Sequence, residues 1–166
     1  MSMHKKKNRS AGRRFGKHPL TRELLLPMDP IRARALSLEH HLALVALRTG
    51  QPSVDIIARL FNAIGAARFL HEAAHGQETP EQSRFEQAWR VLLECSNRMR
   101  EGRPAAMNEA DLVDLQKLVL LHDEQMATTP VHQLLAARHR LGHWLDQVAQ
   151  FDWPSDDPAT PIERCR

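Results

Sequence analysis

His71-Glu72-Ala-Ala-His75 sets two imidazoles four residues apart with a carboxylate between them. On a helix this spacing puts both rings on one face, one turn apart, where they can hold a zinc ion while the glutamate acts as general base. A second i,i+4 pair, His139 and His143, recurs near the C-terminus with His132 and Asp146 on the same helical side. A dinuclear site inside a four-helix bundle needs Glu-x-x-His on each of two helices, and only Glu72-x-x-His75 has that form. Cys95 falls at the rim of an apolar helical face, where a thiol is structural rather than nucleophilic. The chain has no glycine-rich phosphate loop, no Gly-x-Ser-x-Gly and no tyrosine. The expectation is therefore a protein that is not an enzyme, with no catalytic residue, metal or cofactor assigned.

The position of Glu94 after His71-Glu72-Ala-Ala-His75 resembles the third-ligand spacing of the gluzincin metallopeptidases, over about 24 residues. The resemblance implies His71, His75 and Glu94 as metal ligands and Glu72 as base. The elements that must position these residues argue otherwise. Glu94 projects opposite the apolar face of its own helix, and Gly76 to Pro80 breaks the chain just after the second histidine. No strand is predicted that would bind an extended peptide. His71 and His75 continue the stripe of Ile57, Leu60, Phe61 and Ile64, so both are expected as hydrogen-bonded histidines at the end of a core face. On that reading Glu72→Gln leaves folding unchanged.

Charge is segregated. The first 22 residues hold eight of the 23 Lys and Arg, namely Lys5, Lys6, Lys7, Arg9, Arg13, Arg14, Lys17 and Arg22, and none of the 20 Asp and Glu. Cations that neutralise backbone phosphates release condensed counterions and give binding without sequence specificity, so nucleic acid is the expected partner of this arm. Phe15 is placed to stack on a base. The basic start and the LPMDPIRARALSLEHHLALVALRTG that follows resemble small helical Fis-type regulators over the first 50 residues, which implies DNA contact. The chain departs from that pattern in lacking a C-terminal helix-turn-helix.

Five segments carry helical periodicity, and none shows the alternation of a half-buried strand, so the fold class is all-α: a bundle of about five helices. Asp29 and Pro30 open the first, Ser53 the second, Thr79, Pro80 and Gln82 the third, Asn108 and Asp111 the fourth, and Thr129 and Pro130 the fifth. Gly50, Gly76 and Gly102 close the first three. Gly65, inside the second helix, is read as a point of close helix packing. The third helix buries Phe85, Ala88, Val91, Leu92, Cys95 and Met99, with Trp89 at the edge, and the pairs Glu86/Arg90 and Glu94/Arg98 face solvent. The fifth buries Leu134, Ala137, Leu141, Trp144, Leu145 and Val148. The first and fourth are apolar over more than half their circumference and are expected at the centre of the bundle or at a subunit contact.

The organisation read from these signals is a flexible basic arm over 1–27, a bundle over 28–151 and a proline-rich acidic tail over 152–166, in which Trp153 is placed to dock back. Two cysteines are too few for a disulfide framework, and no apolar run approaches a membrane span or a secretory core. A cytoplasmic location without membrane association is expected. So is a homodimer or a protein partner, with Leu36, Leu44, Leu47, Val113 and Leu121 as contact candidates. The functional expectation is a non-enzymatic accessory or regulatory protein on nucleic acid. The alternatives are an oligomerisation adaptor without nucleic acid and, more distantly, a zinc-dependent hydrolase.

Overall fold

The computed structural model describes residues 21–50 and 52–150. Six helices follow one another: α1 (Arg22–Leu25), α2 (Pro30–Arg48), α3 (Val54–His75), α4 (Pro80–Arg100), α5 (Glu109–Thr128) and α6 (Val131–Gln150). Among the described residues there is no strand, only an isolated antiparallel bridge between Pro27 and Pro130. The fold is thus the all-α bundle that the periodicity predicts, and no described helix is long and apolar enough to cross a membrane.

Local signals account for the helix ends. Asp29 Oδ2 accepts from the backbone N–H groups of Ile31 and Arg32, at 3.1 Å each. Ser53 Oγ accepts from Ile56, and Asn108 Oδ1 from Asp111. Each cap satisfies donors that the first helical turn would otherwise leave orphaned. The chain then turns at Gly50, Gly76 and Gly102 with φ of 71°, 87° and 68°, a region that side chains with a Cβ avoid. The predicted capping box at α4 does not form. Thr79 makes no side-chain cap bond, because its hydroxyl is taken by His71, and the Gln82 amide donates instead to Glu86.

The helix at the centre is α3, not α2 or α5 as the breadth of their apolar surface predicts. It packs against α2, α4, α5 and α6, and its buried residues run from Ile57 to Glu72. Small side chains make this possible, since Ala63, Gly65, Ala66 and Ala67 are all buried and let neighbouring helices come close. A Cβ on Gly65 would lie 2.7 Å from Leu141 Cδ1 of α6 and 3.2 Å from Trp89 Cζ2 of α4, which is the close packing inferred from its position. Trp89 is fully buried rather than marginal. It stacks on Trp144 at 4.5 Å and on Phe61 at 5.3 Å between centroids, joining α3, α4 and α6.

Helical structure begins before Met28. The four residues of α1 are too few to form a stable helix alone, so tertiary contacts must hold them. The backbone N–H of Val131 donates to Leu26 O at 2.9 Å, and His132 Nδ1 donates to Leu24 O at 2.9 Å. His132 therefore anchors a neighbouring segment instead of sharing a solvated face with His139 and His143.

Candidate functional site

Two polar clusters are built into the bundle. The first occupies the end of α3. The Glu72 side chain is only 5% exposed, and its carboxylate is gripped from two sides: Oε1 accepts from Arg68 Nε at 2.9 Å and Oε2 from Arg140 on α6 at 3.1 Å. The two guanidinium groups also lie over aromatic rings, Arg68 4.7 Å from the Trp89 centroid and Arg140 4.7 Å from that of Phe69. A buried carboxylate held in this way ties α6 to α3, with each oxygen engaged by a guanidinium.

The flanking histidines are also committed. His71 is buried and its Nε2 shares a hydrogen bond of 3.0 Å with Thr79 Oγ1, while burial and the neighbouring His75 lower its pKa against the opposing pull of Glu81 and Glu72. His75 is exposed, not core-facing as expected, and its Nδ1 donates to His71 O at 3.3 Å. The two rings stack at 4.5 Å. Glu94 is exposed and paired with Arg98 one turn on, on the solvent side of α4. The residues that resemble a gluzincin centre are thus not brought together, and among the described residues no group of three or more His, Cys, Asp and Glu converges as metal ligands do.

The second cluster lies where α2 meets α5, and motif spacing gave no sign of it. Asp123 Oδ2 accepts from Ser37 Oγ at 2.8 Å and from His41 Nε2 at 2.9 Å. Beside them His40 and His122 are buried with ring centroids 5.6 Å apart, and the Nδ1 atoms of both find no hydrogen-bond partner among the described residues. Burial lowers the pKa of both. It brings His122 to about 4, helped by His40 and Arg138 and opposed by Gln125 and Asp123. Two neutral imidazoles therefore border a cleft of about 1090 Å³ between α1, α2, α3 and α6, whose apolar walls include Leu24, Met28, Leu36, Ala63 and Leu134. Arg32, Arg59 and Arg138 also line it, together with Glu23, Asp29, Glu39 and Asp55, and Arg59 is paired with Glu39 at 3.2 Å. The available signal was a polar dipeptide, His40-His41 or His122-Asp123, interrupting the apolar stretches of α2 and of α5.

Of the predicted nucleic-acid contacts, Arg22 is exposed at the start of α1, while Lys5, Lys6, Lys7, Arg9, Arg13, Arg14 and Lys17 lie outside the described residues, as do Phe15, Trp153 and Cys165. Cys95 is buried with its thiol 3.7 Å from Ala105 O, and burial pushes its pKa up, as for a structural thiol. His139 and His143 meet edge to face at 4.6 Å on the exposed side of α6. Compared with protein-family models, curated proteins and solved structures, the chain matches none.

Proposed function

We infer that the protein is a non-enzymatic accessory or regulatory factor that contacts nucleic acid through its basic arm, in the cytoplasm. The observation that carries this reading is eight cations without an acid before Glu23, attached to a bundle that holds the base of the arm in place. Anchorage of α1 on α6 through Leu24 and Leu26 fixes the point from which the arm leaves the body. Phosphate contact by such a segment is sequence-independent and strongly salt-dependent. Against the zinc-hydrolase alternative counts the state of Glu72, its expected base, whose two oxygens are both bound by arginine.

The test keeps α1 intact. Replacing Lys5, Lys6, Lys7, Arg9, Arg13, Arg14 and Lys17 by glutamine in the full chain should abolish a gel shift of duplex and of single-stranded DNA and RNA. For the native chain on duplex, log K should fall against log salt with a slope of about −0.9 per phosphate neutralised. Equal affinity of the two chains would refute the reading. An oligomerisation role has its own support in the exposed apolar residues of α2.

A further inference from the structure

Four of the five residues expected at a subunit contact are occupied within the chain: Leu44 and Leu47 are buried in the core and Leu36 and Leu121 pack against it, whereas Val113 on α5 is exposed. On the opposite side of α2 a different set is open. Ile31 is 79% exposed, Leu38 60%, Leu42 57% and Val45 56%. With the exposed Ala35 and Thr49 they fall at 31, 35, 38, 42, 45 and 49, alternating steps of four and three. That is the spacing of a coiled-coil seam, and it continues along the entire helix. Isolated aliphatic side chains on a surface need no explanation, but a continuous seam of them on one helix does.

We propose that this face of α2 is the contact with a second copy of the same chain, in a two-fold dimer whose α2 helices run parallel. The charges beside the seam select both the partner and the direction. With Ile31, Leu38 and Val45 at d positions, Arg34, His41 and Arg48 occupy g and Arg32, Glu39 and Ala46 occupy e. In a parallel pair each g residue faces the e residue five positions later on the other copy, so Arg34 meets Glu39 twice across the axis. In an antiparallel pair g faces g and e faces e, which sets Glu39 against Glu39 and a basic side chain against a basic side chain. The Glu39 side chain is half exposed in its pair with Arg59, so its carboxylate has room for a second guanidinium. Because α2 is already folded on the bundle, dimerisation does not have to order the helix, and a seam of under three heptads suffices. This inference is independent of what the arm binds.

Sedimentation equilibrium of the full chain at micromolar concentration should show a dimer. Leu42→Glu should convert it to a monomer with unchanged helical circular dichroism, since Leu42 makes no part of the core, and with a melting temperature that is lower and no longer depends on protein concentration. Arg34→Glu and Glu39→Arg should each weaken the dimer roughly two- to tenfold, and the double exchange should restore it. For direction, Ile31→Cys and Val45→Cys in a Cys165→Ser background should each cross-link by themselves under mild oxidation. A monomeric native chain, or a dimer indifferent to Leu42→Glu, overturns the proposal. Cross-linking only when Ile31→Cys and Thr49→Cys chains are mixed, the d and a positions that face each other in an antiparallel pair, overturns the parallel arrangement.

Discussion

The two histidine clusters invert the order in which the chain presents them. At the end of α3 the residues spell a known spacing within five positions, yet the fold spends Glu72 on two arginines and His71 on Thr79. Between α2 and α5 the residues lie about 80 positions apart with no motif to join them, yet they assemble a buried imidazole pair beside a cleft. Spacing along one helix is a local property that any i,i+4 pair satisfies. Convergence is a property of packing. The comparison also separates their electrostatics: the α3 cluster buries a charge with its counter-charges, whereas the α2/α5 cluster buries its two central groups neutral.

That contrast can be broken most directly at Glu72. Glu72→Ala leaves Arg68, only 14% exposed, beside an empty position, and removing one partner of such a buried pair costs about 3–5 kcal/mol. Urea denaturation of the variant should show the loss, and Glu72→Gln should also be destabilised, in contrast to what the sequence alone suggests. An unchanged midpoint for both would mean that the two arginines contribute nothing to the fold.

The neutral cluster should respond to acid instead. His122 has a folded pKa of about 4 against 6.5 unfolded, so the unfolded chain binds more protons between these values and stability falls as pH drops from 6.5 towards 4. The loss is roughly 3 kcal/mol for this group when the window is fully crossed. His40 and His71, also lowered, act in the same direction. Chemical denaturation at a series of pH values should show this slope flatten in His122→Gln while it persists in Glu72→Gln. The same slope in both variants would place the titration elsewhere.

The smallest effect belongs to the bond that ties the two halves of the α3 cluster. Thr79→Val keeps the shape of the side chain and removes the oxygen facing His71, so it should cost about 1 kcal/mol. Because Thr79 makes no cap bond, the amide exchange of the first turn of α4 should be unaltered. Faster exchange there would show that the hydroxyl serves the helix terminus after all.

Much of the architecture was legible because it depends on neighbours in sequence. Asp29, Ser53 and Asn108 cap the helices they precede, and Gly50, Gly76 and Gly102 turn the chain where the periodicity stops. The face of α4 that carries Phe85, Leu92 and Cys95 follows from the helical repeat alone. Thr79 misled because its cap signal competes with a histidine eight residues back that periodicity does not bring near. The helix α1 was missed because four residues have no signal of their own and exist by docking on α6.

What the chain determined by itself is the all-α class, the ends of the five long helices, the segregation of charge into the first 22 residues and the need for close approach at Gly65. Each follows from hydrogen-bond geometry, side-chain shape or charge count within a few residues. What only the tertiary structure decided is which helix is central, which histidines are neutral and buried, and which apolar residues of α2 remain uncovered. Among the described helices α3 is also the richest in apolar residues, many of them alanine, so the centre falls to the helix that is both apolar and small-sided. The small residues of α3 admit four neighbours where the bulkier faces of α2 and α5 admit fewer, and the remaining leucines of α2 are left facing outward.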